Sequence, residues 1–181
     1  NETLFRDHLN MSPDVLVRRL TQADASAYRA VRLRALREHP EAFTSDADEE
    51  ASQPLDVMAQ RLGHPERKVW GAFAADALMG TIGLDREHRV KNRHKATVVG
   101  MYVATEYAGK GAGRALINTL LADARATGLE LLVLTVTEGN LSAIRLYEHA
   151  GFKTFGVEPG AIKVAGRAWA KTHMYLQFKT P

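Results

Sequence analysis

Apolar residues recur along the chain at two spacings, which divide it into predicted strands and helices. The strand pattern occurs in segments rich in valine, leucine and aromatic residues: Val15 to Leu20, Lys68 to Ala75, Leu78 to Glu87, His94 to Ala104, Leu131 to Val136, Phe152 to Val157 and Trp169 to Phe178. Helical spacing is seen over residues 21–37, 55–62 and 140–150, and in the segment that ends at Gly128. This order predicts an α/β (α+β) protein with early antiparallel hairpins and a later β-α-β unit.

The domain organisation follows from what interrupts these elements. We see no internal repeat, low-complexity tract or linker, so residues 11–181 are predicted to form one domain. Residues 1–10 lack periodicity and precede a methionine, Met11, and we expect them to be an N-terminal extension that is not native. The glycine- and proline-containing stretch from Glu158 to Arg167 is predicted to connect the last two strands.

Composition and charge exclude several classes of protein. The 181 residues include no cysteine, which excludes disulfides, a thiolate nucleophile and cysteine-based metal sites. The 24 Lys and Arg exceed the 21 Asp and Glu only slightly and are scattered, so we expect no nucleic-acid partner. The longest apolar run is too short to cross a membrane, and no export signal is recognised. We therefore expect a cytoplasmic protein without a membrane partner, and no histidine pair predicts a metal site.

A strand that runs into a glycine-rich turn and then a helix is the first chemically informative segment. Gly109, Gly111 and Gly113 occupy alternate positions, so backbone N–H groups can converge at the helix N-terminus. Such a turn is typical of a phosphate or pyrophosphate site, with Lys110 and Arg114 adding charge at its rim. The mononucleotide and dinucleotide patterns both fail here, and a turn without a ligand stays open as an alternative.

A second motif lies about thirty residues later, where Asn140 to Phe152 has the form N-x-x-A-x-x-x-Y-x-x-x-G-F. Together the two motifs resemble those of the GNAT superfamily of acyl-CoA-dependent N-acetyltransferases. Ala108 to Gly113 aligns with the pyrophosphate motif of that family, and the order of elements agrees from Val15 to Phe178. The resemblance implies a mixed, mostly antiparallel twisted sheet of about six or seven strands with helices on both faces.

The resemblance also implies a reaction: direct transfer of an acetyl group from acetyl-CoA to a primary amine in a ternary complex, without a metal. Tyr147 would be the catalytic acid for the departing thiolate, although its helical spacing also suits a core residue. Asn140 would contact the cofactor or merely cap its helix. The remaining residues expected to bind acetyl-CoA lie on the central strand and the glycine turn: Met101, Tyr102, Val103, Gly109, Lys110, Gly111, Ala112, Gly113 and Arg114.

The chain departs from the family pattern at Ala108, where a Gln or Arg is usual, and at Thr135, where some members carry a glutamate base. We expect a small-molecule or peptide amine as the acceptor, contacted by Glu49, Glu50 or Glu106, whose alternative roles are exposed carboxylates. A homodimer is also expected, with the final strand as the dimer edge. Two rival functions are a catalytically inactive CoA-binding sensor and a nicotinamide-dependent enzyme.

Overall fold

A single seven-stranded sheet organises the computed structural model, which describes residues 15–179. The strands lie in the order β1-β2-β3-β4-β5-β7-β6, and every neighbouring pair is antiparallel except β4 and β5, which are parallel. Their bounds are β1 Val15–Arg19, β2 Arg67–Ala74, β3 Ala77–Arg86, β4 Lys95–Val103, β5 Leu131–Thr137, β6 Lys153–Val164 and β7 Arg167–Gln177. The predicted extension, residues 1–10, lies outside the described residues.

Helices cover both faces of the sheet, as predicted. They are α1 Ala25–Glu38, α2 Ala47–Ser52, α3 Leu55–Gly63, α4 Ala112–Ala126 and α5 Leu141–His149. Leu116 and Leu120 of α4 are fully buried in the larger core cluster, which also includes Tyr147 of α5. Met58 of α3 belongs to a second cluster, which contains Val69 and Phe73 of β2. Because side chains alternate across a strand, neighbouring residues of β2 supply both cores.

The last hairpin differs from the sequence prediction. Glu158 to Arg167 was expected to be a connection, but β6 continues to Val164, and only Ala165 and Gly166 form the turn. Pro159 is tolerated within β6 because this strand forms the edge of the sheet, where a missing N–H breaks no ladder. The prediction that the final strand is a dimer edge is wrong, since β7 lies between β5 and β6.

The centre of the sheet opens where β4 and β5 part. Their parallel pairing covers only three positions and ends at Thr97 and Val133. Beyond that point β4 carries an irregularity opposite Thr81 and Gly83, and Gly100 takes a φ of 61°. The hydroxyl of Thr81 donates a hydrogen bond to the Gly100 carbonyl at 3.0 Å, which fixes this bulge. Within residues 15–179 the remainder of β4 therefore has no strand partner on the β5 side.

One ion pair at the start of the fold predicts a pH dependence. Asp24 accepts two hydrogen bonds from Arg18 at 2.8 and 2.9 Å and one from the Thr21 backbone at 2.7 Å, and these bonds lower the pKa of Asp24 to about 2. The ionised Asp24 therefore makes its full contribution to the stability of the fold above pH ~4. This contribution is lost as the pH falls towards 2. We expect Asp24→Asn to lower the free energy of unfolding at pH 7 by about 0.5–1 kcal/mol.

Urea unfolding of the parent and of Asp24→Asn at pH 7, 4 and 3 measures this dependence. The difference between them should shrink at the lowest pH, whereas Asp76→Asn in the exposed β2–β3 turn should stay close to the parent throughout. A difference that is the same at every pH would contradict the assignment.

Candidate active site

A cavity of about 400 Å³ occupies the opening between the parted strands. Val98 to Met101 of β4 line it on one side, and Thr135 to Thr137 of β5 on the other. One end of the cavity is closed by residues of α1, the α1–α2 segment, α2 and α3. Near α5 the cavity is bordered by Asn140, Ala143 and Tyr147. The early end of the parallel pairing is thus what makes room for a ligand inside the sheet.

The glycine turn follows β4 after one turn of 3-10 helix, Thr105–Tyr107, and has the backbone geometry of an open loop. Gly109 and Gly111 have φ values of 73° and 85°, a region that favours glycine, and a Cβ at either position would meet no atom within 4 Å. Gly111 is the N-cap of α4, so the free N–H groups of the first helical turn follow it. Lys110 and Arg114 are exposed beside them, and Lys110 Nζ lies 5.5 Å from the centre of the Tyr107 ring.

Tyr147 is a core residue, as its helical spacing suggested, and it also lines the cavity, whereas its role as catalytic acid stays a prediction. Its side chain is buried at 5% exposure and packs edge-on against Phe152, with ring centres 5.7 Å apart. The hydroxyl has no hydrogen-bond partner within residues 15–179. Burial raises the pKa of Tyr147 well above its usual value, so the phenol is protonated at neutral pH.

Asn140 is the N-cap of α5, as one of its two predicted roles required. Its Oδ1 accepts hydrogen bonds from the Ala143 N–H and the Ser142 hydroxyl, each at 3.2 Å. The residue also lines the cavity, so capping leaves its side chain at the site. A contact with a cofactor stays a prediction.

The three carboxylates proposed to contact the acceptor lie in different surroundings. Glu50 is buried at 7% exposure and lines the cavity, whereas its neighbour Glu49 is exposed. Glu106 lies on the outer surface, where both of its oxygens accept hydrogen bonds from Arg34 at 2.7 Å. That pairing lowers the pKa of Glu106 to about 2, which makes it a weak base. Of the three residues, only Glu50 belongs to the cavity.

A group of arginines that lines the cavity together with Glu50 and Asp85, which we call the arginine cluster (Arg32, Arg61 and Arg67), was not predicted from the sequence. Glu50 Oε1 lies 3.3 Å from Arg32 Nη2 and 3.4 Å from Arg61 Nη1. Arg67 Nε lies 2.9 Å from Asp85 Oδ1, without the alignment of a hydrogen bond. All five side chains line the cavity.

One feature of the sequence could have indicated the arginine cluster. Arg32 follows Ala25 and Tyr28 at helical spacing, and Leu36 comes one turn later, so an arginine lies on the apolar stripe of α1. A charge on such a stripe indicates a partner inside the protein. The partner, Glu50, could not be identified in the same way, because it lies on another helix within an acidic run.

Residues 15–179 contain neither a candidate metal site nor a candidate membrane-spanning helix. Within this range there is no group of three or more His, Asp or Glu side chains arranged to hold a metal ion. None of the described helices is both long and apolar enough to span a membrane.

Comparisons with known proteins agree with the geometry. A sequence model of the acetyltransferase (GNAT) family matches residues 33–152. A mycothiol acetyltransferase of Thermobispora bispora is 31% identical over 140 residues, which is 75% of this chain and 45% of that protein. An L-methionine sulfoximine/L-methionine sulfone acetyltransferase of Pseudomonas aeruginosa is 31% identical over 121 residues, 67% of this chain and 60% of that protein. The chain thus spans about half the length of these two relatives.

Solved structures extend the likeness to the whole fold. A Salmonella typhimurium protein, solved with its cofactor acetyl-CoA, superimposes with a TM-score of 0.77 at 24% identity, over 93% of this chain and 96% of that one. The chain belongs to the acetyltransferase (GNAT) family. The family and fold class expected from the two motifs are confirmed.

The pairing of Glu50 with two arginines predicts that its charge matters for stability. Glu50→Gln leaves Arg32, which is 15% exposed, without its counter-charge, and we expect a loss of about 1–3 kcal/mol in the free energy of unfolding. Urea unfolding at pH 7 measures the loss. Glu49→Gln is the matched control: its exposed side chain has no ion pair within the described chain, and its stability should stay within ~0.5 kcal/mol of the parent. Equal losses for both variants would refute the account.

Proposed function

We propose that the protein is an N-acetyltransferase that moves an acetyl group from acetyl-CoA to a primary amine by direct attack. The observation that carries the proposal is the cavity between the parted strands β4 and β5, which has the glycine turn just beyond β4 and Tyr147 on its wall. The family match supports the reaction class. The acetyl-CoA-bound neighbour supports the choice of donor.

Acetyl-CoA would lie along the unpaired part of β4. The backbone groups of Met101 and Val103 would be available there, because β5 has separated from this segment and Tyr102, between them, faces β3. The pyrophosphate would meet the N–H groups at the start of α4, where the open turn leaves room for it. Lys110 and Arg114 would add positive charge at the rim. A backbone N–H of β4 would also stabilise the negative charge that develops on the thioester oxygen.

Tyr147 would supply the proton that the departing CoA sulfur needs. Its side chain is buried, and its hydroxyl is protonated at neutral pH and has no hydrogen-bond partner in the described chain, so the O–H is available to donate a hydrogen bond. The amine attacks the thioester carbon, the carbon–sulfur bond breaks, and the thiolate takes the phenolic proton. The attacking nitrogen then loses its own extra proton to a base or to solvent, and an equivalent proton restores the Tyr147 phenol. The chain has no cysteine, which agrees with transfer in a ternary complex rather than through a thioester on the enzyme.

The acceptor is proposed to be a small-molecule or peptide amine. The relatives are named for small molecules, mycothiol in one case and L-methionine sulfoximine or sulfone in the other. A screen of amines with acetyl-CoA, read as release of free thiol, tests the function directly. Thiol release that depends on an amine supports the proposal, and its absence with every amine, despite binding of acetyl-CoA, would favour the sensor instead. A cytoplasmic location and a homodimer stay predictions.

Removing the Tyr147 hydroxyl tests its role. We expect Tyr147→Phe to lower kcat by about 10²- to 10⁴-fold while leaving the affinity for acetyl-CoA nearly unchanged, because the phenol acts on the leaving sulfur. Steady-state kinetics and calorimetric titration with acetyl-CoA measure the two effects. Tyr175→Phe, on β7 and outside the cavity lining, is the control and should retain parental turnover. Unchanged turnover in Tyr147→Phe would remove the assignment.

The glycine turn can be tested with a pair of matched variants. Gly111→Ala strains a backbone with φ of 85° by about 1–2 kcal/mol, and relief of that strain would displace the N–H groups that bind the pyrophosphate. We expect acetyl-CoA to bind about 5- to 30-fold more weakly by calorimetry. Gly166→Ala, at φ 80° in the β6–β7 turn, suffers the same strain far from the cavity and should bind normally. Equal affinities in the two variants would argue against a pyrophosphate site here.

A further inference from the structure

We propose that the amine acceptor of this protein carries an acidic group, a carboxylate or comparable oxyanion, which binds Arg67 and Arg61 while the amine faces Gly100. This inference rests on the proposed acetyl transfer and specifies its substrate class. It comes from the charges and free hydrogen-bond donors of the cavity.

The cavity has an excess of positive charge. Four cationic side chains line it, the arginine cluster and Lys171, against two carboxylates, Glu50 and Asp85. Both carboxylates already have arginine partners. An acceptor that carries only a protonated amine would add a further positive charge to this enclosure. An acceptor that also carries an acid brings the balancing charge with it.

The terminal nitrogens of the planar Arg67 guanidinium are available to bind a ligand. Only its Nε is engaged, at 2.9 Å from Asp85 Oδ1, and its two terminal nitrogens have no hydrogen-bond partner within residues 15–179. Arg61 uses Nη1 alone, for Glu50. Guanidinium groups with free, parallel N–H donors match the two oxygens of a carboxylate or phosphonate better than any other side chain does. The two arginines flank the short α3–β2 connection and so reach the cavity from one end.

Arg32 differs from these two, since it is held in place from several sides. Its guanidinium donates to Ser45 Oγ at 3.0 Å, pairs with Glu50, and lies 5.1 Å above the centre of the Phe43 ring. Its Nη1 comes within 3.8 Å of the position that a Cβ on Gly100 would occupy. Arg32 therefore marks the boundary between the acid-binding end and the bulge of β4.

The pairing of β2, β3 and β4 indicates how a bound acceptor would be oriented in the cavity. Arg67 pairs with Asp85, and Asp85 pairs with Thr97, the last β4 residue that pairs with β5. The acid-binding end of the cavity thus lies at the same position along the strands as the point where β4 and β5 part, two strands away. Gly100 follows Thr97 by three residues. An acceptor held by its acid at Arg67 extends across β3 and places its amine at the opening, where the thioester is proposed to lie.

Matched pairs of acceptors distinguish the contribution of the acidic group from that of the amine. The probes are the common L-amino acids, β-alanine, 4-aminobutanoate and 2-aminoethylphosphonate. Each is compared with its amide or ester, or with the amine that lacks the acid. We expect the best acid-bearing probe to exceed its uncharged counterpart by about 10- to 100-fold in kcat/KM. Equal rates for the two members of every pair would overturn the inference.

Arginine variants test the residues. Arg67→Gln should lower kcat/KM for the best acid-bearing probe by about 10- to 100-fold, mainly through KM, and should lower it little for the uncharged counterpart. Arg89→Gln, in the exposed β3–β4 connection, is the matched control and should behave as the parent for both. Calorimetry with acetyl-CoA and urea unfolding show whether Arg67→Gln keeps its fold and donor affinity. A parallel loss for both members of the pair would refute the role of Arg67.

A readout without turnover distinguishes failure of this inference from failure of the proposed function. Binding of the same probes is measured by calorimetry in the presence of CoA. If no amine is acetylated but acid-bearing probes bind and Arg67→Gln abolishes binding, the acid site stands and the proposed acetyl transfer fails. If amines without an acid are acetylated as well as the others, the transfer stands and the acid site fails. If no acid-bearing probe binds or reacts, the acid site fails.

Discussion

The site depends on one feature of the backbone, the short parallel pairing of β4 and β5. Had the ladder continued past Thr97 and Val133, the central strands would have filled the space that the cavity now occupies. Two local devices keep it open: the irregularity that ends in Gly100 turns the strand, and the Thr81 hydroxyl holds the Gly100 carbonyl. The helix α4, which links the two strands, begins at the same end of the sheet. Backbone donors of the strand and of the helix N-terminus therefore converge on one region.

The second determinant is the arginine cluster, which charges one end of that opening. Glu50 is nearly inaccessible to solvent and its Oε2 has no partner among the described residues, so Glu50 is placed to hold arginines rather than to interact with water. Retaining a buried carboxylate of this kind is costly unless its counter-charges are close, which explains why two arginines converge on its other oxygen. Glu50 was expected to contact the acceptor directly, and that role stays a prediction. Its observed contacts make it first of all a positioning residue for Arg32 and Arg61.

The sequence predicted the proposed donor half of the site and missed most of the proposed acceptor half, for a physical reason. The glycine turn and the Asn140–Phe152 segment are contiguous, and their meaning lies in spacing that can be read along the chain. The arginine cluster brings together α1, α3 and the first residue of β2, which meet only after the helices pack on the sheet. The same limit explains why the length of β6 was not predicted. Its Pro159 and Gly160 suggested a loop, and the sequence does not show that β6 lies at the edge of the sheet. The order of elements was recovered because periodicity is local, whereas convergence of charges is not.

The two halves are connected by the chemistry of the amine. An amine with a pKa of ~10.4 is neutral in about one molecule in 2,500 at pH 7, and only the neutral form attacks a thioester. Positive charge nearby disfavours the ammonium form and lowers the pKa of the amine, so a cationic cavity assists the reaction even without a dedicated base. The same charge would repel an acceptor that brought only an ammonium group. In the proposed complex an acidic substituent would resolve this conflict: its binding to Arg67 would draw the molecule in, while Arg32, beside Gly100, would favour the neutral amine at the reacting end.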